Sequence, residues 1–339
     1  MKNTLMNLCR LPGVSGREDA VRDYIRKQVT PYAEEILEDA MGNLLVHVRG
    51  EKPEEPGKKL MLAAHMDEVG IIITDITGEG YLKFDFVGGV DRRVVIGKKV
   101  LVGDQAIPGV IGLKAIHQTS AGERDKVPAL RELSVDIGVD SREEAEKLVS
   151  LGDVGTFDDS ITEFGEGYLK AKAIDDRVGC AVMLELIRKG LPRDAWFAFT
   201  VQEEVGCRGA QTAAWRICPD IALILEGTTA ADLPSQSGGD KVCCPGKGPV
   251  IPFMDGGSVY DQSLFRKLTR LAEEKGIPWQ TKTKISGGTD ASAIQRSGAG
   301  ARVAAISAAV RNIHSPSCVF CLADMQRIYD LALAFLEAL

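Results

Sequence analysis

The chain lacks any apolar run approaching the roughly 20 residues that a membrane-spanning helix requires, so no helical membrane span is expected. It also lacks an excess of cationic residues. Forty-one Lys and Arg stand against 48 Asp and Glu, a formal charge of −7, and the basic footprint of a nucleic-acid binder is missing. Its eight cysteines among 339 residues lack the density of a small secreted disulfide scaffold, which favours reduced thiols. The opening Met1–Arg10 has too short an apolar region for a signal peptide, and the cytoplasm is the expected location. Internal repeats and long low-complexity segments are absent. What is present is 45% hydrophobic residues, enough for a substantial core. The length exceeds one typical domain, so a core domain with an insertion is expected.

Candidate chemistry gathers at the ends of short apolar runs. Lys59–Ala64 leads into His65-Met66-Asp67, Trp196–Val201 into Gln202-Glu203-Glu204, and Ile221–Leu225 into Glu226, while Val303–Ile306 precedes His314. In open α/β sheets, ligand-binding residues collect where strand C-termini meet loops, so these four run ends converge. The His65-x-Asp67 spacing lets a carboxylate orient a ligating imidazole. Asp175 differs, because it precedes a helical pattern of Cys180, Met183, Leu184 and Ile187, where an acid can also serve as a cap.

Together His65, Asp175, Glu204, Glu226 and His314 form the ligand set of a two-metal hydrolase. Three carboxylates against two divalent ions leave one positive charge, which a bridging hydroxide cancels; ions about 3.5–4 Å apart bring a shared water's pKa towards neutrality. One carboxylate must bridge, and Asp175 is the choice. If the segment is extended, Glu203 points to the face opposite Glu204, free to act as general base.

His65-Met66-Asp67, Ile174-Asp175-Asp176-Arg177-Val178-Gly179, Gln202–Gly206, Glu226-Gly227-Thr228, Gly287–Ala291 and Ile313-His314-Ser315-Pro316 together resemble the ordered signature of the dinuclear metallo-aminopeptidases related to glutamyl and deblocking aminopeptidases, some called cellulase M. The match runs from about Gly13 to the C-terminal helix. The resemblance implies His65, Asp175 and Glu226 on one ion and Asp175, Glu204 and His314 on the other, with Glu203 as base and Asp67 behind His65. It also implies zinc or cobalt, short peptides cut at the N-terminus, and a homo-oligomer of the tetrahedral, dodecameric type built from dimers. Glu226 departs from the Asp that many relatives carry, which keeps carboxypeptidase or other amidohydrolase chemistry as an alternative. A glycosidase needs two carboxyls facing each other across roughly 5–9.5 Å; neighbouring Glu203 and Glu204 would point apart, and two histidines would go unused. A non-catalytic metal-binding protein has no need of a positioned base.

The expected fold is α/β, a metallo-exopeptidase domain with a mixed sheet flanked by helices (1–68 and 160–339) and an inserted small β domain (69–159) for assembly or substrate access. Ser15-Gly16-Arg17-Glu18 has the pattern of a capping box before a helix with Val21, Tyr24, Ile25 and Val29 on one face. A hairpin turn at Met41-Gly42-Asn43 leads into Leu44–Val48, with His47 structural. Ile71–Thr74, Tyr81–Phe84, Val94–Ile96 and Lys99–Val102 read as β runs of the insert, and Ser141–Glu144 as a helix start. Further helices are expected near 178–188, 262–275 and 323–338, and linkers at Gly50–Gly57 and Gln118–Pro128. Thr289 reads as a helix cap after a glycine turn, and His117 as a structural or subunit-contact residue. Cys318 and Cys321 read as core, Cys243-Cys244 as an exposed loop pair, and Cys207 as a thiol open to reagents.

Overall fold

In the computed structural model, which describes residues 1–55, 58–158, 160–234 and 240–339, the expected strand runs assemble into one mixed sheet and one closed barrel. The sheet has nine strands in the order Glu35–Glu38, Leu44–Val48, Ala195–Thr200, Leu60–His65, Ile221–Thr229, Arg302–Arg311, Cys318–Cys321, Tyr168–Ala171 and Thr162–Phe164. The four central strands, from Ala195–Thr200 to Arg302–Arg311, run parallel, so their C-terminal ends share one edge. Both faces are covered, and the strands are continuously apolar for that reason. Leu60, Leu62 and Ala64 enter one core cluster while Met61 and Ala63 enter the other. The first cluster packs the helices Lys2–Arg10, Asp19–Val29, Ile174–Lys189, Gln262–Glu274 and Leu322–Ala338; the second packs Arg208–Ile217 and the short Ala291–Ile294. No helix of the described residues is long and apolar enough to cross a membrane.

The barrel closes through Val154–Phe157, Gly70–Ile76, Leu82–Val87, Ser134–Asp136, Ile107–Gly112 and Lys99–Val102, around its own apolar cluster. Val94–Ile96 is not a strand. It lies in turns, and its apolarity reflects Val95, fully buried as part of the barrel core. The linker expected at Gly50–Gly57 is also revised: Gly50–Lys52 pairs in parallel with Leu191–Arg193, while Pro56, Gly57 and Asp159, at the expected end of the insert, lie outside the described residues. Gln118–Pro128 is largely exposed and carries a short helix, Ala121–Arg124, with Ser120 and Glu123 as a reciprocal capping box.

The capping box expected at Ser15–Glu18 does not form. The helix begins at Asp19 without a side-chain cap, because both residues are drawn elsewhere. Ser15 Oγ donates to Asp67 Oδ2 at 2.6 Å, and Glu18 Oε1 accepts from the amides of Gly16 and Gln202.

Candidate active site

The common edge of the central strands gathers the seven residues singled out by sequence. His65 ends its strand, Glu226 lies within the strand Ile221–Thr229, and Asp175 sits at the start of the helix Ile174–Lys189, where Asp175 and Asp176 are non-helical. His314 follows the strand Arg302–Arg311 at positive φ. Two groups result, hinged on one carboxylate. Asp175 Oδ1 lies 3.5 Å from His65 Nε2, which is 3.1 Å from Glu226 Oε1. Asp175 Oδ2 lies 3.5 Å from His314 Nε2, which is 3.2 Å from Glu204 Oε2. The Gly227 amide donates to Asp175 Oδ1 at 3.1 Å, and a Cβ at Gly227 would stand 2.4 Å from the same oxygen. Glycine there lets strand and carboxylate approach.

Asp67 joins the loops beneath. Its side-chain oxygens accept from Ser15 Oγ and from the amides of Glu203 and Glu204, and its Oδ1 lies 3.3 Å from His65 Nδ1. Burial alone would raise the Asp67 carboxyl, but His65, Ser15 and the Glu203 amide hold it below the usual carboxylate range. Glu203 corrects the expected alternation. Gln202 at φ 56° ends the extended segment, so strict alternation does not govern Glu203 and Glu204. Glu203 Oε2 is 3.9 Å from His65 Nε2 and its Oε1 accepts from Cys207 Sγ at 3.3 Å.

The cluster is short of positive charge. Burial pushes Glu226, Glu203 and Glu204 up, Glu204 to about 7, reinforced by neighbouring carboxylates. Burial would lower His314, but Asp175, Glu204 and Glu203 lift it to about 9. His65 Nε2 and Glu226 Oε2 are buried without a hydrogen-bond partner among the described residues. Imidazole and carboxylate donors suit zinc and related divalent ions. Bonds of about 2.0–2.2 Å in a tetrahedral site separate ligand atoms by about 3.3–3.6 Å, close to the spacings found. The residues therefore fit metal, and the orphaned atoms lie where ligands belong.

With this geometry in hand, comparison with known proteins is decisive. The family described as M42 glutamyl aminopeptidase matches residues 42–331. The chain belongs to this metallopeptidase family. A lysyl aminopeptidase of Pyrococcus furiosus is 32% identical over 97% of this chain and 94% of its own length. The structure of an aminopeptidase from Desulfurococcus kamchatkensis superposes with a TM-score of 0.93 at 36% identity, covering 99% of this chain and 94% of that one. The Pyrococcus horikoshii TET1 peptidase, described as assembling into a tetrahedron or a large octahedral shell, gives 0.86 at 33% identity over 100% and 99%. As an M42 aminopeptidase, the chain is a peptide-bond hydrolase.

Several neighbours of the M42 site escaped the sequence. Asp176 is fully buried, its carboxylate accepting from the amides of His65 and Gly179; the doubled acid was its only signal. Glu68 and Lys172 form a buried pair at 2.5 and 2.7 Å, each hidden as a single charge in unremarkable sequence. Thr289 Oγ1 accepts from the Ala291 amide after the left-handed Gly287. His117 is exposed in the turn Ile116–Gln118, and His47 stacks on Trp196. Cys318 and Cys321 are buried and free. Cys243 is also buried, so it is no exposed loop residue; its thiol donates to the Thr229 carbonyl.

Proposed function

We propose that the chain removes residues from the free N-terminus of short peptides, with one divalent ion held by His65, Asp175 and Glu226 and a second by Asp175, Glu204 and His314. The observation that carries the reading is Asp175, whose two oxygens each face a separate His and Glu pair. Zinc or cobalt suits the donor set. Bound ions would supply Lewis acidity, lowering the pKa of a water and polarising the scissile carbonyl. Glu203 takes the proton of the attacking water and returns it to the leaving amine. Asp67 fixes the orientation of His65.

The homo-oligomer is part of the proposal. Similarity to the TET1 peptidase supports it, as do the apolar side chains that the barrel exposes, Ile116 at 71% and Val127 at 44%. In a closed assembly the barrel would govern contacts and access, admitting short or unfolded peptides. The cytoplasm is the proposed location.

The polarity of cleavage is tested with one short peptide bearing a free or acetylated N-terminus and a free or amidated C-terminus, with products identified by mass. Acetylation is expected to block cleavage and amidation to leave it intact. The opposite pattern would make this enzyme a carboxypeptidase.

A further inference from the structure

A further cluster of metal-ligating side chains lies beside the two assigned above. Glu203, Cys207 and Asp290 each offer a donor atom, and the three atoms lie within 4.8 Å of one another. Cys207 stands at φ 53°, immediately before the helix Arg208–Ile217, a position that favours the thiolate a metal needs.

Asp290 is the informative member, because it is only 1% exposed and its hydrogen bonding is incomplete. Its Oδ2 accepts from Thr200 Oγ1, whereas Oδ1 is buried without a hydrogen-bond partner among the described residues. A buried acceptor left unpaired is costly, and a cation offsets that cost. Cys207 Sγ donates to Glu203 Oε1 at 3.3 Å, close to the roughly 3.5 Å that separates sulfur and oxygen ligands of a tetrahedral zinc. Glu203 and Cys207 are only partly buried, so the cluster is not sealed from solvent.

We infer that Glu203, Cys207 and Asp290 form a third divalent-ion site, selective for zinc, and that an ion there inhibits the enzyme by engaging the carboxylate that serves as base. The inference rests on the proposed role of Glu203 and adds a regulation of it. On binding, bonds form from the ion to Cys207 Sγ and to the two carboxylates, the thiol proton leaves to solvent, and water completes the tetrahedron. A thiolate with carboxylates suits zinc, whereas magnesium and calcium take oxygen ligands. Burial and the Glu203 and Asp290 carboxylates push the Cys207 thiol well above its usual range. Release of its proton therefore weakens the site, which fills after the two that contain histidine. With its oxygen on an ion, Glu203 no longer takes the proton of the attacking water.

The test adds zinc, and separately cobalt, to the full chain already loaded with two equivalents of zinc, in the wild type, Cys207→Ala and Asp290→Asn. Asn at that position can still accept from Thr200. In the wild type a third equivalent of zinc is expected to bind in equilibrium dialysis and to suppress cleavage of a short peptide, a mild chelator restoring it. Cobalt as the third ion should give the near-ultraviolet charge-transfer band of a cobalt thiolate. In both variants the inhibiting zinc concentration should rise by at least about tenfold, since loss of even an outer-shell partner costs that much affinity, and Cys207→Ala should lose the band. Activity is read within each variant as the ratio between excess zinc and two equivalents, so differences in basal turnover cancel. A zinc content that stays at two, or a Cys207→Ala variant with the same band and the same inhibition, overturns the inference and leaves the aminopeptidase reading standing. A band that appears while turnover is unchanged overturns the inhibition, and the assignment of Glu203 as base falls with it.

Discussion

At the residue scale, His65, Glu204, Glu226, His314 and Glu203 stood out because each follows or ends an apolar run, Asp175 stood out ahead of a helical pattern, and the order of six motifs is specific. The condition for Glu203 to face away from Glu204, an extended segment, is not met. Alternation along an extended segment would put it on the face away from Glu204, whereas the left-handed Gln202 ends that segment and both amides donate to Asp67, with Glu203 near His65 and Glu204 near His314. The position of Glu203, 3.9 Å from His65 Nε2, suits proton transfer at the site. Glu203→Gln keeps the size and an acceptor for the Cys207 thiol but removes the basic oxygen. Turnover should fall by roughly 10²-fold or more with metal content unchanged. Loss of metal in that variant, measured by elemental analysis, would show Glu203 to be a ligand instead.

At the scale of elements, strands and long helices were readable from apolar periodicity, and the parallel order of the central strands explains why four distant run ends meet. Tertiary override hid the rest. Ser15 and Glu18 match a helix cap locally, yet Asp67 and the Gln202 amide compete for them and win. Val94–Ile96 is apolar enough for a strand but supplies a barrel core residue from a turn. The joint between barrel and sheet was invisible, since it rests on pairing across more than 100 residues: Lys172 Nζ donates to Glu68, which also accepts from Thr156 of the barrel and from the Gly13 amide. The fully buried Arg177 also lies 3.7 Å from the Glu68 carboxylate, so removing Lys172 leaves Glu68 with one, more distant, cation. Lys172→Met should therefore destabilise the fold in chemical denaturation by less than the about 3–5 kcal/mol of a wholly uncompensated buried charge, and Glu68→Leu, which strands both Lys172 and Arg177, by more than Lys172→Met. A single variant as stable as the wild type would mean that the pair does not hold the joint.

At the scale of the whole molecule, the mixed sheet and separate β unit could be anticipated from the change in texture after Val69, while closure of the unit into a barrel could not, because the strands Ile107–Gly112, Ser134–Asp136 and Val154–Phe157 carry too few apolar residues to stand out. The barrel's exposed apolar side chains suit a subunit contact, and light scattering should find a large homo-oligomer; monomers at working concentration would contradict that assembly. The central claim is a pair of ions that share Asp175. Elemental analysis of purified wild type and Asp175→Asn tests it most directly, since Asn can still accept from the Gly227 amide while removing the charge common to both groups. Two ions per chain in the wild type, and loss of both in the variant, are predicted. One ion in the wild type, or two retained by Asp175→Asn, would contradict the shared carboxylate.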